Sequence, residues 1–378
     1  MNKVFILGAG ASKPAGTPLL KEIFPDGVFH LRIGSVSGDS LSRYPHFWGY
    51  LKEHFNYDVH IQDPIAFLAY NDIDIEQILS AIDNEIFKKS IKGLKKVREE
   101  AVRFVCLTLE QAIKDGQRKD NKSNCYPNFV SQKINILNDD CTIITFNYEI
   151  LLETALLDVS LGYCFSYGIE VEKDSIRNFS GYVREYKGNL LVLKLHGSSN
   201  WAICSQCNKL HLFWSQRYDD IFKGSCCSCG DSLEAVLVPP TRFKEGKYLK
   251  KLWEIANLEK LWQIAREKIA SANEIVIIGY SFNEYDKEAL CLIKDSIEAN
   301  SKKPNLYIVD KEPTKIYQKI FSKDFLKEDY FSKIVLFEGF REYLDNKIFL
   351  KALPESVTKI HELSPPKTRI PPKPHPSS

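Results

Sequence analysis

The chain has 378 residues, of which 44% are hydrophobic and 26% are charged, and its 51 basic and 49 acidic residues give a formal net charge of +2. This composition excludes a disordered or fibrous protein, and no apolar segment reaches the ~20 residues that span a bilayer. The near balance of charges provides no overall field for a polyanion. We therefore expect a globular, cytoplasmic protein with neither nucleic acid nor a membrane as a direct partner. Its length suits two domains, or one domain with insertions.

The first predicted element is a buried strand that runs directly into glycines. Val4 to Leu7 are apolar, and Gly8-Ala9-Gly10-Ala11-Ser12 follow. Small residues at a strand-to-helix turn let the backbone approach a ligand, and the free N–H groups of the next helix favour an anion such as a pyrophosphate. Glycine turns also serve packing alone, so this stretch by itself leaves nucleotide binding open. Pro25-Asp26-Gly27 predicts a break after the helix that follows.

Residues 45–125 are predicted to form a helical insertion. Apolar residues recur three and four positions apart from Ile75 to Ile86 and from Val97 to Ile113, which is the period of an amphipathic helix. The basic residues from Lys88 to Arg98 fall within this pattern, and their spacing predicts a solvated helix face rather than a nucleic-acid contact.

Short apolar strands alternate with helical stretches through the rest of the chain. The predicted strands are 141–146, 190–195, 275–278 and 306–309. Strands that are apolar on both faces and separated by crossover helices indicate a parallel sheet covered on both sides. We predict an α/β fold with a doubly wound, Rossmann-like parallel sheet, in a discontinuous domain of residues 1–350. Six prolines in residues 364–378 predict an extended tail.

Small or polar residues follow each predicted strand, and they form the candidate site because ligands of such sheets bind outside the carboxyl ends of the strands. They are Gly8, Ala9, Gly10, Ala11 and Ser12 after the first strand, Thr145 and Asn147 at the second, His196 after the third, Gly279 and Ser281 after the fourth, and Asp310 at the fifth. Each also has a structural explanation, since Asn and Asp often cap helices and a histidine beside a glycine is often packed. Asp286 and Glu288 are expected to be helix-start charges that face solvent.

Five of the ten cysteines fall within 26 residues. Cys204-x-x-Cys207 and Cys226-x-x-Cys229 have the spacing of two knuckles that together bind a tetrahedral zinc ion. Four thiolates close such a site to substrate, so the zinc of this module, residues 201–232, would be structural. A pair of disulfides is the alternative, and Cys227 is expected to be a bystander, with its exchange for one of the four ligands as the other possibility. The isolated cysteines are expected to be buried small hydrophobes, and they are Cys106, Cys125, Cys141, Cys164 and Cys291.

The motifs, in order along the chain, resemble those of the sirtuins, and more closely those of the bacterial sirtuin-like proteins of antiphage defence. Residues 8–18 resemble the GAGxS…GxP dinucleotide loop, and residues 145–149 resemble the T-Q-N-x-D motif. Residues 195–198 resemble the catalytic H-G motif, and residues 279–281 the late G-[TY]-S loop. The cysteine pairs follow the histidine, where sirtuins carry their zinc module.

The resemblance implies a Rossmann-like domain that takes NAD as its substrate. The glycine loop would hold the pyrophosphate, Asn147 would hold the nicotinamide ribose or an attacking water, and His196 would act as the base at that ribose. Glu149 stands where the family carries the Asp that handles nicotinamide.

Departures from the deacylase motifs favour hydrolysis of NAD. Leu19-Leu20-Lys21 follows Pro18 where deacylases carry Asp-Phe-Arg, and Phe146 replaces a glutamine. The sequence therefore predicts an NAD glycohydrolase that forms ADP-ribose and nicotinamide in antiphage defence, with a phage-derived or operon-encoded activator and a homo-oligomeric state. Two alternatives stay open: an NAD-dependent protein-lysine deacylase, and a non-catalytic sensor of NAD or ADP-ribose.

Overall fold

The computed structural model describes most of the chain in eleven segments. These are residues 2–34, 40–89, 92–119, 124–134, 140–158, 165–171, 190–213, 224–238, 253–284, 286–321 and 325–345. The predicted tail at 364–378 and Cys164 lie outside them.

A seven-stranded parallel sheet forms the centre of the fold. Its strands are β1 (Lys3–Leu7), β2 (Cys141–Thr145), β3 (Phe165–Ser166), β4 (Leu190–Lys194), β8 (Glu274–Ile278), β9 (Asn305–Asp310) and β10 (Lys333–Glu338). Their order across the sheet is β10-β9-β8-β1-β2-β4-β3. Every pairing is parallel. The central position of β1 makes it the point where the strand order reverses, which is where such sheets bind ligands.

Helices cover the sheet, as the apolar strands require. They are α1 (Ala9–Ser12), α7 (Tyr126–Lys133), α8 (Leu151–Asp158), α9 (Leu258–Ala270), α10 (Lys287–Glu298), α11 (Pro313–Phe321) and α12 (Phe340–Leu344). The central strands are buried along almost their whole length, for example at Val4, Ile143 and Ile275. Strands that are apolar on both faces must be covered on both faces by other elements. The observed sheet and its helices confirm the predicted α/β class and Rossmann-like parallel sheet.

A second hydrophobic core lies in a helical unit, which we define as residues 20–32 and 45–119. Its helices are α2 (Leu20–Arg32), α3 (Pro45–Phe55), α4 (Pro64–Asn71), α5 (Ile75–Lys89) and α6 (Lys92–Lys119). The long helix α6 packs against α2, α3 and α5. None of the helices in the described segments combines the length and the apolar character needed to cross a membrane.

The predicted break at Pro25-Asp26-Gly27 is wrong, because α2 continues through it. Proline removes one hydrogen bond from a helix interior, and the turn residues suggested that the helix ends there. Tertiary packing decides otherwise. A Cβ atom at Gly27 would lie 2.4 Å from both Phe104 Cζ and Thr108 Oγ1, so the glycine lets α2 approach α6 closely.

Two expectations about surface exposure are wrong at one residue each, although Lys95 and Lys96 of the basic run are exposed as predicted. Arg98, in the basic run, is buried, and its Nε donates to Asp83 Oδ1 at 2.6 Å while Nη2 donates to the Leu237 carbonyl at 2.8 Å. A buried guanidinium needs such partners because desolvation is costly. Cys291 is exposed, whereas Cys106, Cys125 and Cys141 are buried as predicted.

A small antiparallel sheet follows β4 in the chain. Its strands are β5 (Gly197–Cys204), β6 (Lys209–Leu212) and β7 (Glu234–Leu237), in the order β6-β5-β7. Two contacts join this sheet to α6. One is the hydrogen bond from Arg98 to the Leu237 carbonyl, and the other is an ion pair between Lys95 Nζ and Glu234 Oε1 at 2.8 Å. The small sheet therefore connects the cysteine cluster to the helical unit.

Candidate functional site

The ends of β1, β2 and β8 lie level with one another at one edge of the sheet. Leu7 pairs with Thr145 on one side and with Ile278 on the other. The residues that follow are consequently brought together: the Gly8 N–H donates to the Ile278 carbonyl at 3.0 Å, and the Gly10 N–H donates to the Gly279 carbonyl at 2.9 Å. The sheet register thus places the predicted strand-end segments of β1 and β8 in direct contact, with that of β2 beside them.

Glycine is required at this contact because two backbones cross. A Cβ atom at Gly8 would lie 2.6 Å from the Gly279 oxygen, and one at Gly279 would lie 2.2 Å from the Ala11 nitrogen. Gly279 also has a φ of +60°, in the left-handed region that favours glycine. The packing of the two loops accounts for these glycines without a ligand. Ala9, by contrast, is exposed at the turn.

Asn147 links the glycine turn to β2. Its Nδ2 donates to the Gly8 carbonyl and to Ser12 Oγ, each at 3.0 Å, and its backbone N–H donates to Thr145 Oγ1 at 3.1 Å. The side chain is buried. Asn147 is therefore not a helix cap here, and it fixes the position of the turn that the sequence singled out.

Glu149 and Tyr126 support the same turn. Ser12 Oγ donates to Glu149 Oε1 and is also hydrogen bonded to the Tyr126 hydroxyl at 2.8 Å. Glu149 Oε2 accepts from the Leu151 N–H at 2.7 Å, at the start of α8. Burial raises the pKa of Glu149, while the charge of Lys194 and the Ser12 hydrogen bond act to lower it. Sequence reasoning missed Tyr126, which belongs to no recognisable motif.

A buried ion pair adjoins this network. Lys194 Nζ is 3.0 Å from Glu153 Oε1 and donates to the Glu149 carbonyl at 2.5 Å, and the Tyr167 hydroxyl donates to Glu153 Oε1 at 3.2 Å. Both charged side chains are 1% exposed. The pair holds α8 against the last residue of β4, two residues before His196.

His196 lies in an aromatic environment and faces a carboxylate. Its ring centroid is 5.2 Å from that of Phe146, 6.3 Å from that of Tyr148 and 6.2 Å from that of Trp262. Its Nε2 is 3.9 Å from Asp286 Oδ1. Both side chains are buried, so the two groups interact electrostatically with little screening by water.

The expectation that Asp286 faces solvent is wrong. The residue is 7% exposed, and its Oδ2 accepts from the Tyr280 hydroxyl at 3.1 Å. A residue directly before a helix normally projects to water, but the loop after β8 turns Asp286 toward His196. Glu288, near the start of α10, is exposed as expected. The burial of Asp286 could not be predicted from the sequence, because a loop has no apolar pattern that indicates which of its side chains are buried.

The helical unit contributes a further carboxylate that sequence reasoning missed. Glu76, at the start of α5, accepts a hydrogen bond from the Tyr148 hydroxyl at 3.0 Å. Burial raises the pKa of Glu76 well above its usual value, and the charges of Asp74 and Asp286 raise it further. Acidic groups from two parts of the fold therefore lie close enough to influence one another on the His196 side of the site.

Two predicted residues lie at the margin of this site. Ser281 is exposed, and its carbonyl accepts from Lys319 Nζ at 2.8 Å. Asp310 Oδ1 accepts from the Glu312 N–H at 2.9 Å, just before α11. These contacts are those of a loop and a helix start, so the structure separates Ser281 and Asp310 from the hydrogen-bonded network around Asn147.

The four predicted metal ligands converge at one end of the small sheet. The sulfur atoms of Cys204, Cys207, Cys226 and Cys229 all lie within 4.8 Å of one another, and two of the Sγ–Sγ distances are 3.4 Å. A tetrahedral zinc ion with Zn–S bonds of ~2.3 Å needs separations of about 3.8 Å. The cluster could thus hold zinc. Cys227 lies outside it, and within the described segments no cysteine forms a disulfide.

Cys226, in the second knuckle, also favours the thiolate form. Although burial acts to raise it, the backbone N–H groups of Ser228 and Cys229 lower the pKa of Cys226 to about 7. N–H groups directed at a sulfur atom stabilise its negative charge, and a thiolate is the form that binds a metal.

We expect the purified protein to contain about one zinc ion per chain, and Cys226→Ser to lose it, because three thiolates hold the ion far less strongly than four. The thermal midpoint of unfolding should fall with the metal, since Cys204 and Cys226 also belong to the second hydrophobic core. Metal analysis together with a melting curve measures both effects. The neighbouring Cys227→Ser is the matched control and should retain the metal; equal metal loss in both variants contradicts the assignment.

Comparison with known protein families assigns the chain to one of them. The family model of the SIR2-like domain matches residues 141–335, slightly more than half of the chain. The chain belongs to the SIR2-like family. The match begins at β2, so the glycine turn after β1 lies outside it and is joined to it by the sheet register. A comparison with curated proteins finds no match.

Solved structures of Sir2 homologues resemble this SIR2-like chain over most of its length. A Sir2 homologue in complex with NAD is 14% identical, with 91% of this chain and 86% of that chain covered and a TM-score of 0.37. A point mutant of a Sir2 homologue in complex with ADP-ribose is also 14% identical, with 82% and 80% covered and a TM-score of 0.34. At these TM-scores the family assignment rests on the family model.

Proposed function

We propose that this SIR2-like protein is an NAD glycohydrolase, which cleaves NAD to ADP-ribose and nicotinamide. The observation that supports it best is that Asn147 is hydrogen bonded to the glycine turn, while His196 follows the adjacent strand β4, whose last residue Lys194 pairs with Thr145. The carboxylate of Asp286 beside His196 adds a partner for a general base. Leucines and a lysine follow Pro18 in place of the Asp-Phe-Arg that deacylases carry there.

In this proposal each strand end has one task. The backbone of residues 8–12 would hold the pyrophosphate, and Asn147 would position the turn and the attacking water. Thr145 and Glu149 would fix Asn147 and Ser12 through the hydrogen bonds already described. Gly279 would keep the turn in place, and Ser281 and Asp310 would lie toward the adenosine end.

At the ribose carbon, one bond breaks and one bond forms. The N-glycosidic bond between ribose and nicotinamide breaks, and its electron pair leaves with neutral nicotinamide. Positive charge passes to the ribosyl group, and the oxygen of a water molecule forms the new bond. His196 takes the proton of that water and releases it to solvent, with Asp286 stabilising the imidazolium meanwhile.

We expect the purified protein to release nicotinamide from NAD without any acylated peptide, and His196→Ala to lower the rate by about 100-fold or more, which is the usual effect of removing a general base. Liquid chromatography of nicotinamide and ADP-ribose measures this. Cys291→Ala, on the exposed face of α10, is the control and should match wild type. Release that depends on an acylated peptide would instead indicate a protein-lysine deacylase.

The remaining outcome separates catalysis from sensing. Tight binding of ADP-ribose with no turnover, either alone or with proteins encoded beside its gene, would indicate a sensor. The motif resemblance to defence proteins supports a role in antiphage defence, in which a phage-derived or operon-encoded protein raises the rate of hydrolysis above that of the purified protein. Nicotinamide release that increases during phage infection of cells carrying the gene would support that role.

A further inference from the structure

Glu76 reaches the candidate site from outside the sheet. It belongs to α5 of the helical unit, whereas Asn147, His196 and Asp286 follow strands of the central sheet. The Tyr148 hydroxyl donates to its Oε1 at 3.0 Å, and Tyr148 lies between Asn147 and Glu149 in the chain. The Tyr148 ring in turn lies beside His196. A side chain of the helical unit therefore contacts the segment that carries the proposed chemistry.

The surroundings of Glu76 are unusual for a carboxylate. Its charge is disfavoured by burial and by the charges of Asp74 and Asp286, and the Tyr148 hydrogen bond is the contact that favours it. Asp286 faces His196 and accepts a hydrogen bond from the Tyr280 hydroxyl. Acidic groups held together in this way attract a cation, because a positive charge placed among them relieves both the desolvation and the mutual repulsion.

The proposed substrate carries a positive charge at one end. The nicotinamide ring of NAD⁺ is cationic, and during cleavage the positive charge passes to the ribosyl group. ADP-ribose lacks the nicotinamide ring, and in NADH the ring is neutral. A carboxylate near Asn147 and His196 therefore favours the oxidised dinucleotide over both.

We propose that Glu76 determines specificity for the positively charged nicotinamide end of NAD⁺, so that the helical unit completes the site formed at the strand ends. The inference rests on the proposed function in placing the nicotinamide ribose near His196. It assigns to the helical unit a part in substrate recognition, in addition to its own hydrophobic core.

The test compares binding of NAD⁺, NADH and ADP-ribose by calorimetry, in a His196→Ala background that suppresses turnover. We expect NAD⁺ to bind about tenfold more tightly than NADH, and Glu76→Gln to bring the two affinities close together, which is the scale of losing one buried charge contact. Binding of ADP-ribose should stay unchanged. Glu328→Gln is the matched control, because it alters another tyrosine–glutamate hydrogen bond, that to Tyr317 on α11, away from the site.

Two further variants separate charge from anchoring. Tyr148→Phe removes the hydrogen bond that favours the charged form of Glu76, so it should weaken the preference for NAD⁺ less than Glu76→Gln does; a loss in Tyr148→Phe as large as that in Glu76→Gln would show that Glu76 only anchors Tyr148 and would overturn the proposal. Glu76→Asp keeps the charge and should keep the preference if Glu76→Gln fails to fold. An unchanged NAD⁺ preference in folded Glu76→Gln also overturns it.

Failure of the hydrolase proposal would look different. Wild-type protein that releases no nicotinamide, yet loses its NAD⁺ preference on Glu76→Gln, would contradict hydrolysis and support the role of Glu76. Wild-type protein that hydrolyses NAD while Glu76→Gln retains both its rate and its preference would contradict the role of Glu76 alone.

Discussion

Replacing Gly279 with alanine is expected to lower the free energy of unfolding by about 3–5 kcal/mol and to abolish binding of ADP-ribose, since backbone strain and a steric clash add at this position. The left-handed backbone alone costs about 1–2 kcal/mol for a residue with a Cβ. The added Cβ would also lie 2.2 Å from the Ala11 nitrogen and 2.3 Å from the Gly10 carbonyl carbon. Backbone atoms cannot rotate away, so the glycine turn itself must move. Denaturant unfolding and calorimetry measure the two effects.

Gly34→Ala is the matched control for this change. Gly34 has a φ of +63°, close to that of Gly279, but among the described residues no atom lies within 4 Å of the position that its Cβ would take. It should therefore show only the cost of backbone conformation, with ADP-ribose binding intact. Equal destabilisation by the two alanines would refute the view that the crossing of the two loops fixes the site.

Lys194→Met should destabilise the protein by about 3–5 kcal/mol, because it leaves the buried Glu153 carboxylate without its cation. Lys194 also holds the Glu149 carbonyl, so the loss should extend to the network around Ser12. Urea unfolding measures the stability. Nicotinamide release, if the proposed hydrolysis is correct, should fall as well, since His196 follows two residues after Lys194.

The control for Lys194 is an ion pair of the same type at the surface. Lys268 Nζ is 3.1 Å from Asp140 Oδ1, and Asp140 is half exposed. Lys268→Met should change stability by less than about 1 kcal/mol, as exposed pairs usually do. Adding Glu153→Gln to Lys194→Met should restore part of the loss, because the amide oxygen still accepts from Tyr167 without a buried charge. No recovery in the double variant would argue against an uncompensated charge as the cause.

Much of the central sheet could be predicted because its strands are short runs of apolar residues between helices. The same apolar runs show where each strand ends, so Gly8, Asn147 and His196 could be identified from the sequence as strand-end residues. The cysteine spacing also carried its geometry within a short segment, and the four sulfur atoms do converge. These features depend only on residues that are close to one another in the sequence.

Long-range packing decided the rest. Pro25-Asp26-Gly27 has the composition of a turn, yet Gly27 lies in a helix because α6 passes close to it. Asp286 was assigned to the surface, and the loop after β8 buries it beside His196. Glu76 and Tyr126 belong to no motif, and they reach the site only because helices distant in sequence lie against the ends of β1 and β2.

The sequence by itself determined the alternation of strands and helices, the residues that end each strand and the four-cysteine cluster, because each depends on periodicity or spacing within a short stretch. Only the tertiary structure decided which side chains surround Asn147 and His196. The carboxylates of Asp286 and Glu76 come from a loop and from the helical unit, and burial together with the charge of Asp286 raises the pKa of Glu76. Such effects arise between residues far apart in the chain, where local pattern carries no information.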